Sequence, residues 1–210
     1  MYDAEIAYLD DQIRSLLENI QRSRQSDKLL IVVASDHGEE FMEHSGLKHG
    51  QSLYEELTRC PLILSGFNIE SSPHPVDEWV QNIDIVPTIL DLAGIPIPSG
   101  VEGISLRPPL RDNRAHSPAF SEIRGFALRR GDWKLWEKPD GEKVLFDLRS
   151  DPREQTDLSQ TLPDTLSWLS QELEAVKRGL TRPEYPLNDT EISTMDSETV
   201  RLLRVLGYME

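Results

Sequence analysis

An α/β unit built on a parallel or mixed sheet, followed by a small antiparallel-sheet subdomain, is the architecture this 210-residue sequence predicts. Three observations carry it. Between Asp3 and Arg22, apolar residues recur at spacings of three and four (Ile6, Leu9, Ile13, Leu16, Leu17, Ile20), the period of an amphipathic helix. A continuous apolar run, LLIVVA at 29–34, follows, so that a helix feeds a strand as in βα-repeating folds. Beyond Ala119 the texture changes to short strand-like runs broken by turn residues.

In the first helix Asp3 is placed to act as N-cap. The run 29–34 has the β-branched content and length of a strand buried on both faces. Leu62, Ile63 and Leu64, after Pro61, form a second short strand. Asp84 is expected to cap a helix that runs through Leu92 and ends at Gly94; Pro87 falls early enough that its missing N–H is no loss. The Pro- and Gly-rich stretch 95–114 reads as an extended surface connection. Residues 126–136 read as a hairpin on a two-residue turn, Gly131-Asp132. Pro139-Asp140-Gly141 then turns the chain into a third strand, 144–148, and Leu166, Leu169, Leu173 and Val176 share one face of a following helix. A Pro-containing linker at 179–192 and a final helix at 197–206 complete the chain. Three segments result: 1–115, the α/β part; 116–178, the antiparallel subdomain; and 179–210, linker and terminal helix.

A net charge of −15 excludes nucleic acid as a partner, since phosphate contacts need clustered Lys and Arg. The same charge makes a bound divalent cation useful for holding an anionic substrate. No apolar stretch approaches the ~18 residues of a membrane-spanning helix. The acidic start, Met1 to Glu5, lacks the basic and apolar regions of a signal peptide. One cysteine leaves the redox compartment open, and no localisation follows.

The chemistry concentrates where the run 29–34 stops, at Ser35-Asp36-His37-Gly38. Ligand sites of open α/β sheets gather beyond the carboxyl ends of strands, and Asp-His offers one oxygen and one nitrogen donor to a divalent cation. Turn chemistry alone would also explain an isolated Asp-His-Gly. It does not explain three histidines, His37, His44 and His49, within thirteen residues of a chain that has five. Glu39, Glu40, Glu43 and Lys48 crowd the same loop.

These residues resemble a known family. SDHGEEF at 35–41, Glu43-His44, HGQSLYEE at 49–56 and RCPL at 59–62 are similar to the C-terminal catalytic segment of the sulfatases, in the alkaline-phosphatase-like superfamily of metal-dependent ester hydrolases. The resemblance continues in order through NIDIVPTILDLAG at 82–94, GISL at 103–106, WKL at 133–135, LFDL at 145–148, DPRE at 151–154 and LRVLGY at 203–208. It covers nearly the whole chain. The implied fold is the C-terminal part of an alkaline-phosphatase-like α/β sandwich plus the small antiparallel subdomain. The implied activity is hydrolysis of a sulfate ester substrate.

By this resemblance Asp36 and His37 are metal ligands, for Ca²⁺ in a sulfatase, or for Mn²⁺ or Zn²⁺ in a phosphoryl-transferring relative. The basic residue that contacts sulfate or the leaving oxygen falls on His49, with Lys48 one residue away as the alternative. His49 is favoured because a histidine can donate a proton near neutral pH, whereas lysine stays a fixed charge. His44 is a weaker candidate for lining the substrate pocket. Arg59 is expected to neutralise Glu55 or Glu56, Trp133 and Trp136 to pack, Cys60 to be structural, and His74 and His116 to be exposed.

The family's nucleophile motif, Cys/Ser-x-Pro-x-Arg, and its N-terminal aspartate pair are not among these residues. The chain is therefore expected to be the C-terminal half of a longer enzyme and inactive alone. Two alternatives stay open: a phosphate or phosphonate monoester hydrolase or phosphoglycerol or phosphoethanolamine transferase of the same superfamily, and a non-catalytic binding or scaffold remnant.

Overall fold

The computed structural model describes residues 2–22, 28–69, 79–107, 118–180, 196, 197 and 201. His74, His116, most of the 179–192 linker and nearly all of the expected final helix lie outside these residues. The chain divides into two compact units: Met1–Asp36 with Pro61–Asp112, and His37–Cys60 with Asn113–Glu210.

In the first unit, α1 spans Tyr2–Arg22. It begins one residue earlier than expected, so Asp3 lies inside the first turn with Glu5, where negative charge suits the exposed N–H groups. No residue of α1 is buried, and Ile6, Leu9 and Leu16 are exposed. Strand β1 (Leu30–Ala34) pairs antiparallel with β4 (Leu62–Gly66), Leu30 opposite Gly66 and Ala34 opposite Leu62. This corrects the parallel or mixed sheet expected here: every strand pair among the described residues is antiparallel. Apolar continuity encodes how much of a strand wants burial but not its direction. With β4 as its described partner, β1 is half-buried rather than covered on both faces. The ladder is prolonged by Phe67 N–H donating to Leu29 O (2.7 Å). Gly66 (φ +105°) makes this close approach possible, because a Cβ there would lie 2.1 Å from Leu29 O.

A 3₁₀ turn, Asn82–Asp84, leads into α3 (Ile85–Leu92). Asp84 stands at the expected boundary but does not cap α3 with its side chain. Buried, it accepts from Gln81 N–H (3.0 Å) and from Ile104 N–H (2.8 Å). Thr88 accepts from Leu106 N–H (2.8 Å), and Ser105 donates to Asp91 (2.6 Å). The 103–106 segment is thus fastened to α3 rather than lying loose over the surface. Gly94 (φ +72°) follows the helix end as expected.

The second unit is a four-stranded antiparallel sheet in the order β5 (Ala119–Glu122), β6 (Phe126–Arg130), β7 (Trp133–Glu137), β8 (Lys143–Asp147). The Gly131-Asp132 hairpin forms, with Arg130 opposite Trp133 and Gly131 at φ +60°. β5 is a strand beyond the three expected. One face buries Leu128, Leu135 and Leu145 against Leu169 and Leu173 of α4 (Pro163–Gly179), with Leu166, Val176 and Trp133 at the margin. The opposite face buries Ala127, Trp136, Val144 and Phe146 against Leu53 and Tyr54 of the 37–60 segment. The loop that holds the histidines therefore lies on the back of this sheet.

Candidate active site

Segment 37–60 contains β2 (Glu40–Phe41), β3 (Leu47–Lys48) and a single-turn helix α2 (Glu55–Thr58). Its shape is set from inside by Glu40, which is 2% exposed. The Glu40 carboxylate accepts from His44 N–H (3.1 Å), Gly46 N–H (2.7 Å) and Ser52 Oγ (3.3 Å). Wrapping the chain this tightly puts Met42, Ser45 and Lys48 in the left-handed region, with φ of 76°, 69° and 73°. Gly38 donates to Leu57 O (2.9 Å), binding the start of the loop to α2.

Of the expected site residues, His37 and His49 are brought together. Their rings stack with centroids 4.1 Å apart. His37 Nδ1 lies 2.8 Å from Gly38 O. A carbonyl only accepts, so Nδ1 carries the proton, and in the neutral ring that metal ligation requires the lone pair belongs to Nε2. His49 Nδ1 lies 3.5 Å from the Glu39 carboxylate. Lys48 is exposed on β3, across the ladder from Glu40. Asp36 is exposed in the turn immediately after β1.

His44 is engaged on every side. It stacks on Tyr54 (3.6 Å between centroids), its Nδ1 lies 2.5 Å from Glu56 Oε1, and its Nε2 lies 3.2 Å from Glu154 O. Glu56 faces Nδ1 as an acceptor, and Nε2 lies 3.2 Å from both the Glu154 carbonyl and the Gln155 amide nitrogen. Burial by itself would lower the His44 pKa; the hydrogen bond and charge of Glu56, with Glu154 behind them, outweigh it and raise the pKa. Glu40, His44 and Glu56 also bring possible ligand atoms within 4.8 Å of one another. Glu40 already holds three donors, and the 2.5 Å His44–Glu56 contact is a hydrogen bond, closer than two ligands of one cation stand.

A buried group of charges escaped the sequence reading. Lys134 on β7, 2% exposed, places Nζ 3.1 Å from Glu55, 2.9 Å from Glu154 and 3.2 Å from Thr58 Oγ1. Arg129 reaches the other Glu55 oxygen at 2.9 Å. Glu55 is thus neutralised by Arg129 and Lys134 and Glu56 by His44, not by Arg59, which is exposed. The sequence signal was present in WKL and DPRE, but neither motif says which side chain points inward.

A family model named Sulfatase matches residues 1–95. Arylsulfatase K of Bos taurus is 32% identical over 194 residues, which cover 83% of this chain and 36% of that protein. The choline-sulfatase of Rhizobium meliloti is 32% identical over 169 residues, covering 76% of this chain and 32% of that protein. The chain belongs to the sulfatase family. Among solved structures, a protein in complex with its substrate D-glucosamine-2-N,6-O-disulfate aligns with a TM-score of 0.72 at 27% identity, over 82% of this chain and 39% of that one. The chain thus spans about a third of the length of the curated sulfatases it matches. The family motifs SDHGEEF and HGQSLYEE are the two segments that carry His37 and His49.

Proposed function

We propose that this chain supplies part of the active site of a sulfuric ester hydrolase. In this reading Asp36 and His37, consecutive at the end of β1, bind a divalent cation, Ca²⁺ for a sulfate ester, and His49 manages charge and proton at the ester. The cation, when bound, acts as a Lewis acid on the substrate oxygens. The donor set fits it: a carboxylate oxygen, and an imidazole whose Nδ1 proton is held by Gly38 O so that the lone pair belongs to Nε2.

The observation that carries the reading is the stack of His37 on His49. It sets the residue taken as a ligand within one ring's distance of the residue taken as the proton donor. Glu39, its carboxylate 3.5 Å from His49 Nδ1, gives that ring an anionic neighbour. Lys48, by contrast, is exposed on β3. In this reading the nucleophile is not among these 210 residues.

The test uses the full-length protein on an aryl sulfate. Asp36→Ala should lose bound metal and activity together. His49→Ala should lower kcat/KM on the order of 10²-fold, the cost of removing one stabiliser of developing charge, with Lys48→Ala much closer to wild type. A crippled Lys48→Ala beside a near-normal His49→Ala would move the basic position by one residue. Full metal content in Asp36→Ala would remove that ligand from the site.

A further inference from the structure

The second unit joins its sheet to the histidine loop through a buried charged group, and this junction has a direction. Lys134 projects from the sheet face opposite α4, the face that the 37–60 segment covers. Lysine is almost never fully buried unless paired, and here the ammonium is shared by Glu55, Glu154 and Thr58. Glu154 uses its second oxygen to accept from Glu55 N–H (2.5 Å), at the first residue of α2, and its carbonyl receives His44 Nε2 (3.2 Å). Lys134 to Glu55 and Thr58, Arg129 of β6 to the second Glu55 oxygen, and Glu154 to Glu55 N–H therefore tie α2 to the sheet and to the segment that follows it.

At its other side α2 holds the loop. Leu57 O receives Gly38 N–H, and a Cβ on Gly38 would lie 1.9 Å from Glu56 O, so the backbones of α2 and the loop touch directly one residue beyond His37. We propose that Lys134 and Glu154 are positioning residues: they clamp α2 to the C-terminal sheet, and α2 in turn fixes His37 and, through the ring stack, His49. The proposal rests on the reading of His37 and His49 given above. Neither Lys134 nor Glu154 touches substrate in it. The C-terminal sheet thereby becomes the rigid base that orients the metal-binding loop.

The clamp is tested in the full 210-residue chain with Lys134→Met and Glu154→Gln, measuring amide hydrogen exchange at Gly38 and α2 against that of β6–β8. Ring NMR signals of His37 and His49 are recorded on the same samples, and Ca²⁺ affinity on the full-length protein. The clamp predicts exchange at Gly38 and α2 faster by at least about tenfold, with β6–β8 within about twofold of wild type. It also predicts displaced His37 and His49 ring signals, and Lys134→Arg restoring both. Unchanged Gly38 protection in both variants overturns it. Loss of protection in loop and sheet together also overturns it, because Lys134 would then serve the core as a whole. The exchange arm needs no metal. Full-length protein that fails to bind Ca²⁺, beside selective loop opening in the variants, would sink the metal reading and leave the clamp standing.

Discussion

Replacing Gly38 by alanine adds one methyl group at the point where the histidine loop meets α2. The backbone of Gly38 is not in the left-handed region, so alanine meets no conformational penalty there. The penalty is steric. A Cβ at this position would lie 1.9 Å from Glu56 O and 2.9 Å from the Glu56 carbonyl carbon, both backbone atoms that no rotamer change can move aside. Relief requires the two backbone segments to separate by about 1 Å, and that separation breaks the 2.9 Å bond from Gly38 N–H to Leu57 O. Overpacking of this kind costs about 1–3 kcal/mol, and a lost hydrogen bond adds about 1 kcal/mol. A loss of roughly 2–4 kcal/mol is therefore expected. In urea, with a slope of about 2 kcal/mol/M, the midpoint of the second unit should fall by roughly 1–2 M with the slope unchanged. Fluorescence of Trp136, which meets the edge of Tyr54 at 5.0 Å, reports on that unit. A displacement of 1 Å beside His37 should also cost full-length enzyme about 10²-fold in turnover. A midpoint within about 0.2 M of wild type would refute the packing of Gly38 on α2.

Two further outcomes follow from the same unit. The raised pKa of His44 means that its contribution to stability is fully present below the unfolded value near 6.5 and is lost as pH rises through the higher folded value. His44→Gln should therefore be most destabilising near pH 6 and less so near pH 9; a penalty independent of pH would show that the ring is not held as imidazolium. Leu145→Ala, at a fully buried site between β7 and α4, should cost about 2–5 kcal/mol by denaturation; less than about 1 kcal/mol would mean that this face is not a packed core.

The second unit was the more legible half. Gly131-Asp132 is turn chemistry that tolerates a positive φ, and four apolar residues at helical spacing state the buried face of α4 outright. The direction of β1 was not legible, because LLIVVA has no polar alternation to distinguish one partner from another. β5 escaped because Ala119 to Glu122 is four residues of mixed character, recognisable as a strand only by its pairing with β6. At the site, crowding of His37, His44 and His49 was visible, but their fates were not. Two rings meet because the chain turns through a left-handed Lys48, while the third is taken by Glu56 and Tyr54. Nothing in WKLW marks Lys134 as an inward residue. It is inward because the opposite face is covered too, by carboxylates from distant parts of the chain.

The single carboxylate of Glu40 has a consequence for how such a loop can diversify. Glu40 gathers the loop by two backbone N–H groups and one hydroxyl, and the exposed Glu43 adds one bond from Phe41 N–H. Met42 and Leu47 on that edge are 58% and 56% exposed. Gly46, whose Cβ would collide with the Glu40 carboxylate, is the fixed point, and Leu47, free of any left-handed backbone, is a replaceable letter on a rigid frame. A lineage could rewrite such a position without re-solving the folding of the loop that carries its histidines.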